Sequence, residues 1–368
     1  MAASAKIKDI TDFLESIAPR SYQESYDNSG LLTGNPMSEV NGILTTLDCT
    51  EDVVDEAMHL KANLIVAHHP ILFNGIKKLT GSNYVERVII KAIKNDIAIY
   101  AIHTNLDNVN TGVNKKLAER IGLTNLKILA PKQGILSKLV TFIPKENAEA
   151  VLSALYQAGA GQIGHYKNCS FRVEGTGTFM PDESAKPRIG KSFSQEYVEE
   201  VRTEVIFPSH SAPGIMRALR GSHPYEEIAY YITALDNEDQ EVGSGMIGDL
   251  EPAMEPLEFL KGLKSRMELK LIRHTKLLST KVQKVAVCGG SGSFLLNHAV
   301  QSGAQFFITS DYKYHDFFDA DGRITIADIG HYESEVATKE LLVEVLTKKF
   351  PTFAINFSKT VTNPISYL

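Results

Sequence analysis

The chain has 368 residues, 43% hydrophobic and 22% charged, enough for a sizeable core and for two or three globular domains. A formal charge of −6 and a pI near 6.0, with no block of like charges, exclude the electrostatic footprint of a nucleic-acid binder. No apolar stretch approaches the ~20 residues of a membrane span, and three scattered cysteines without a CxxC pair exclude a disulfide framework and thiolate metal clusters, which fits a reducing, cytoplasmic location.

At the N-terminus Ile7, Ile10, Phe13, Leu14 and Ile17 fall at helical spacing, and interrupting polar residues exclude a secretory segment. Tyr26-Asp27-Asn28-Ser29-Gly30 reads as a turn that can line a pocket. Strands are expected over 42–47, 64–67 and 97–102. Helices are expected from the N-cap Thr50, over 84–94 and over 112–121, where Gly122 serves as C′ residue. The middle third changes character: strand 139–144, helix 146–158, strands 171–179 and 202–207, helix 212–219 and strand 228–235. That βαββαβ order is the ferredoxin-like plan. Residues 181–195 form a polar excursion, and Gly243-Ser244-Gly245 reads as a return linker. The last third resumes alternation, with strands 285–287, 306–309, 324–327 and 352–357, a short helix 294–300 and an amphipathic helix 336–350. The expected fold is α/β. A discontinuous domain of residues 1–129 and 246–368 carries a mostly parallel sheet, and a ferredoxin-like domain of residues 130–245 is inserted into it.

Three strand ends carry ligand-type residues: His68-His69-Pro70, His103-Thr104-Asn105-Leu106-Asp107 and His331-Tyr332-Glu333-Ser334-Glu335. Ligands of open α/β sheets bind beyond the carboxyl ends of strands. Pro70 disfavours helical geometry at His69 and forces a turn there. A single turn over 104–107 lets His103 and Asp107 face one pocket, and the four-residue spacing of His331 and Glu335 puts both on one helix face. Each pattern alone has an ordinary reading: two polar residues in a turn, a helix-capping Asp107, an exposed helix face. Together they point to a metal centre whose imidazole and carboxylate ligands suit Zn, Fe or Mn, with enough ligands for two ions. Such a centre supports metal-assisted hydrolysis. The run Cys288-Gly289-Gly290-Ser291-Gly292-Ser293 is read as a tight strand-to-helix turn, with an anion cradle as its alternative. In Ser310-Asp311-Tyr312-Lys313-Tyr314-His315, His315 is a candidate proton shuttle and Lys313 a candidate partner for an anionic substrate, and a solvated loop is the alternative.

These motifs, with Asp27-Asn28-Ser29-Gly30-Leu31 before them and Gly330 opening the last, closely resemble in their order the family of GTP cyclohydrolase I type 2 homologs, also called NIF-three-like dinuclear metal proteins. The resemblance covers essentially the whole chain, and Gly221-Ser222-His223-Pro224-Tyr225-Glu226-Glu227 is similar to a motif of the longer bacterial members. It implies two divalent ions per subunit, zinc first and iron or manganese as alternatives. His68, His69, Asp107, His331 and Glu335 match the ligands, and His103 matches a further histidine at or beside the centre. It also implies a homohexameric toroid and an insert like the trimeric PII and CutA signalling folds, capping the ring's cavity. Tyr312 and Tyr314 stand where relatives often show Leu and His, a departure that leaves the ligand set untouched. The activity implied is that of a metal-dependent hydrolase acting on an unknown nucleotide-like or phosphorylated small molecule. The alternative is a non-catalytic metal-binding regulator or carrier whose insert senses a ligand.

Overall fold

The computed structural model describes residues 5–278 and 280–368. They adopt an α/β fold in two compact units: residues up to Ala130 together with Glu241–Leu368, and the contiguous segment Pro131–Gln240.

The first unit is built on two sheets. One has the strand order Gly30–Thr33, Ala98–Ala101, Leu64–Ala67, Ile43–Thr46, Ile355–Phe357. Its pairs are parallel except at the Gly30–Thr33 edge. The three central strands are buried at every position, as expected where helices cover both faces of a parallel sheet. Helix Glu51–His59 starts where the Thr50 side chain accepts from the Val53 amide, and helix Tyr84–Lys94 where Asn83 accepts from the Glu86 amide. Their apolar stripes, Val53, Val54 and Ala57 on one and Val88, Ile89 and Ala92 on the other, pack with Leu44, Ile65 and Ile99. Full burial of each large aliphatic side chain contributes roughly 1.5–3 kcal/mol.

The other sheet has the order Arg273–His274, Thr325–Asp328, Phe306–Ser310, Val282–Ser291, Glu238–Met254, Thr124–Gln133. Thr325–Asp328, Phe306–Ser310 and Val282–Ser291 run parallel, and antiparallel strands flank them. Helix Pro256–Arg266 covers this sheet, with Phe259 edge-on to Phe306 at a centroid distance of 5.2 Å. Two expectations are corrected here. Residues 243–245 are not a linker but lie inside the long strand Glu238–Met254. Its glycines serve close packing, since a Cβ on Gly248 would meet the Thr124 carbonyl at 2.8 Å. The expected helix 336–350 begins only at Thr338, after a separate short helix His331–Glu335. Val336 and Ala337 between them keep right-handed helical dihedrals, so the apolar periodicity reads through the break. Strand Thr124–Gln133 and helix Pro256–Arg266 carry patterns that the sequence reading passed over.

The second unit runs strand Leu136–Pro144, helix Ala148–Gln157, strands Phe171–Phe179 and Glu196–Pro208, helix Ala212–Ser222 and strand Tyr230–Leu235. The sheet order is Phe171–Phe179, Glu196–Pro208, Leu136–Pro144, Tyr230–Leu235, with every pair antiparallel. Leu139, Ile143, Val151, Leu155, Phe207 and Leu219 belong to its core. The His223 motif ends the second helix. The His223 amide donates to the Leu219 carbonyl, Nδ1 accepts from the Tyr225 amide, and Nε2 lies 3.0 Å from the Phe142 carbonyl. That turn brings the Tyr225 hydroxyl to Glu200 at 2.9 Å. Among the described residues no helix is long and apolar enough to cross a membrane.

Candidate metal centre

The buried strand Leu64–Ala67 delivers the histidine pair. The His68 and His69 amides continue the ladder onto the carbonyls of Thr46 and Leu47, at 3.0 and 2.9 Å, so the backbone holds both residues beyond the strand. Each ring is then anchored through Nδ1. His68 Nδ1 donates to the Ile102 carbonyl at 2.9 Å, and His69 Nδ1 to Asp48 Oδ1 at 2.7 Å. His103 follows strand Ala98–Ala101 and donates from Nδ1 to Asp27 Oδ1 at 2.8 Å. The next residues form one helical turn, Thr104–Asp107, which carries Asp107 to the same pocket.

The carboxyl-terminal half supplies the opposite wall. His331 and Glu335 bracket their short helix, and His331 Nδ1 donates to Asp311 Oδ2 at 2.7 Å. With Nδ1 occupied in all four histidines, Nε2 is the atom left to face a ligand, and the partner sets the tautomer. The glycine run sits directly behind Glu335. A Cβ on Gly290, where φ is +62°, would meet Glu335 Oε1 at 2.3 Å. The Gly290 amide donates to Ser334 Oγ at 2.9 Å and the Gly289 amide to Asn114 Oδ1 at 2.8 Å. Those two amides are spoken for within the protein. The expected tight turn is corrected: Cys288 to Ser291 still belong to the strand Val282–Ser291, whose register is irregular there and whose glycines allow close packing on Glu335, and the chain turns only at Gly292 and Ser293.

At the centre, Glu335 Oε2 lies 3.0 Å from both His69 Nε2 and His331 Nε2, and 3.9 Å from His68 Nε2. His68 Nε2 is 3.6 Å from Asp107 Oδ1, beyond hydrogen-bond reach. Both of these atoms are buried without a hydrogen-bond partner. Three groups have ligand atoms within 4.8 Å of one another and could hold a metal ion: His68, His69 and His103; His69, His331 and Glu335; His68, Asp107 and Glu335. The donor set is nitrogen and oxygen only, and an orphaned imidazole facing an orphaned carboxylate is costly unless a cation lies between them.

The charges respond to this crowding. Burial, and then repulsion from Glu335, push the Asp107 carboxyl well above the ordinary carboxylate range. Burial pushes Glu335 the same way, but hydrogen bonds from His331 and His69, with the His68 imidazole close by, outweigh it and hold Glu335 well below that range. Burial also works against charge on His69 and His331. Asp48 and Glu335 nevertheless raise His69 to about 9, and Asp311 and Glu335 raise His331 to about 11. His68, fully buried on a carbonyl, is lowered. Without metal, protons on His69 and His331 neutralise the carboxylates.

Thus His68, His69, His103, Asp107, His331 and Glu335, expected from three separate segments, come together. His315 does not join them. It stands exposed after Tyr314, its ring stacked with Phe318 at 6.4 Å, and it is not part of the cavity wall. Lys313 is likewise exposed and outside the wall. The sequence reading missed the orienting role of Asp48 and Asp311 and the contribution of the C-terminal segment. Glu56 accepts from the Lys359 amide and the Thr360 hydroxyl, both at 2.8 Å, and Thr362 donates to Asp48 Oδ2 at 2.6 Å. A carboxylate two residues beyond a buried strand end was the available signal for Asp48. Nothing in the local sequence marks Thr362.

The profile of the family described as Duf34/NIF3 (NGG1p interacting factor 3) matches residues 5–364. A Staphylococcus epidermidis protein named GTP cyclohydrolase 1 type 2 homolog is 39% identical, with 98% of this chain and 100% of that protein covered. A Bacillus subtilis protein of the same name is 38% identical, with both chains fully covered at 100%. The crystal structure of a Bacillus cereus protein related to NIF3 superposes with a TM-score of 0.87 at 39% identity, covering 100% of both chains.

Proposed function

The chain belongs to the Duf34/NIF3 family, and from that premise we propose that it is a metal-dependent hydrolase whose centre holds two divalent ions, zinc in the first instance. The observation that carries this reading is the meeting of three interlocking ligand groups, with His68 Nε2 and Asp107 Oδ1 among them as buried atoms that no protein group satisfies. His68, His69, His103, Asp107, His331 and Glu335 would hold the ions, with His68, His69 and Glu335 each common to two of the groups. A divalent ion in such a donor set polarises an electrophilic centre and lowers the pKa of bound water toward neutrality.

The protein's own part is positional. Asp27, Asp48 and Asp311 orient three imidazoles, and the Ile102 carbonyl orients the fourth. Asn114 ties the two halves of the site together, its Nδ2 donating to the Asp107 carbonyl at 3.0 Å while its Oδ1 accepts from Gly289. The named relatives make GTP the first substrate to assay and nucleotides the first class. Metal-loaded protein is expected to hydrolyse a member of that class, and Glu335→Ala to lose both metal and turnover. Equal turnover by the metal-free variant would overturn the mechanism. A regulatory reading is favoured by a separate cavity of about 570 Å³ in the unit Pro131–Gln240, walled by Phe142, Phe179, Arg188 and Tyr225. It is distinguished by stoichiometric metal with no turnover of any compound tested.

A further inference from the structure

A cavity of about 750 Å³ opens onto the ligand cluster. Tyr26, Phe73, Tyr84 and Phe294 line it, and these rings are 68%, 49%, 59% and 64% exposed. They converge from four separate parts of the chain. Phe73 meets the His103 ring edge-on at a centroid distance of 5.8 Å, so aromatic surface continues down to the ligands. Aromatic area left in water around one concave site is stabilised when a flat ligand covers it.

Beyond the histidines of the ligand cluster, the described lining offers no side-chain cation for a phosphate chain. Glu24, Asp48, Asp107 and Glu335 line the cavity, and among the described residues no lysine or arginine does. Protein sites for phosphate chains present arginine, lysine or free backbone amides. The amides of Gly289 and Gly290, beside Glu335, are taken by Asn114 and Ser334.

We infer that the cavity recognises a planar unsaturated heterocycle by its ring faces, and that no protein group reads a polyphosphate tail. This rests on the metal-dependent reading above and narrows its substrate class. Where a nucleotide enters, its base is the part the protein grips.

The test is calorimetric titration of the metal-loaded full chain with guanosine, a pterin and a pyridine nucleoside, and of the metal-free chain with inorganic triphosphate. Metal content is measured on the same samples before and after. At least one heterocycle is expected to bind the metal-loaded chain, and inorganic triphosphate is expected not to bind the metal-free chain. Phe73→Ala and Phe294→Ala should each weaken binding about tenfold, the scale of one base–aromatic stack. Phe294→Leu keeps apolar bulk without the ring, and should weaken binding as Phe294→Ala does. Binding of inorganic triphosphate to the metal-free chain, or wild-type affinity in all three variants, overturns the inference. The two readings fail separately. Bound metal with no heterocycle bound refutes this one alone, and ring-dependent binding to protein that takes up no metal refutes the metal centre alone.

Discussion

Two histidines from the two halves of the candidate centre, His68 and His331, are held by different means. In the amino-terminal half His68 is fully buried and fixed by a backbone carbonyl, which anchors the ring without adding charge. In the carboxyl-terminal half His331 is fixed by Asp311, and the two side chains are 36% and 48% exposed. His69 lies between these cases, 17% exposed and fixed by Asp48. The dry wall keeps its imidazole neutral and ready to coordinate. The wet wall keeps its imidazole protonated until a metal displaces the proton. Rigidity and charge balance are thus supplied by different walls of one pocket, and Glu335 is the group they share.

The largest test of that division is Glu335→Ala. Its carboxylate approaches His68, His69 and His331, so its removal is expected to abolish metal on both walls, with affinity falling more than ~100-fold. Elemental analysis of the purified variant decides. Full metal content would show that Asp107 and the imidazoles suffice and would dissolve the idea of a shared carboxylate.

Next come the orienting carboxylates. Asp48→Ala and Asp311→Ala should each weaken metal binding ~10–100-fold. The Asp48 effect is expected to be the larger, because the Asp48 side chain is 34% exposed against 48% for Asp311. Competition with a chelating dye measures both. The reverse order would mean that the exposed wall dominates affinity.

The third test is pH. In metal-free protein the raised pKa values of His69 and His331 contribute stability that is fully present below the unfolded value of ~6.5. It is lost as pH rises through about 9 for His69 and about 11 for His331. His68 has the opposite sign: its lowered pKa contributes stability above ~6.5 that is lost as pH falls through its folded value. The thermal midpoint of metal-free protein should therefore fall between pH ~7 and pH ~9. Metal-loaded protein should show no such fall, because the ions replace those protons. Parallel slopes for the two forms would refute the assignment.

The smallest effect belongs to Thr362→Val, which removes the hydroxyl that steadies Asp48 behind His69. One hydrogen bond worth ~0.5–1.5 kcal/mol predicts a ~2–10-fold loss of metal affinity. Thr362→Ser should restore wild-type binding, and a change in thermal midpoint with metal affinity untouched would assign the segment a purely structural role.

Legibility in the sequence followed from locality. His68-His69-Pro70 declares itself because it closes an apolar run, and His331 and Glu335 because four residues of helix put both on one face. Asp48 and Thr362 stayed hidden, since an Asp–Thr contact across 314 positions leaves no periodic trace. The glycines show the limit most clearly. Gly243-Ser244-Gly245 suggests a linker and Gly289-Gly290 a turn, yet the first lies in a strand paired with Val282–Ser291 and the second lies within that partner strand, packed closely on Glu335. A missing Cβ signals either freedom or close approach, and only the neighbour tells which.

The amino-acid sequence by itself determined the alternation of strand and helix, the strand ends that carry imidazole and carboxylate, and the family, because these depend on spacing along a few residues. Tertiary structure alone decided which atoms of those groups face one another, which carboxylate restrains which ring, and how much charge each wall carries. Those properties depend on distances of about 3 Å between residues such as His69 and Glu335, which are 266 positions apart. Coulombic and hydrogen-bond energies vary with that separation in space, to which separation along the chain is no guide.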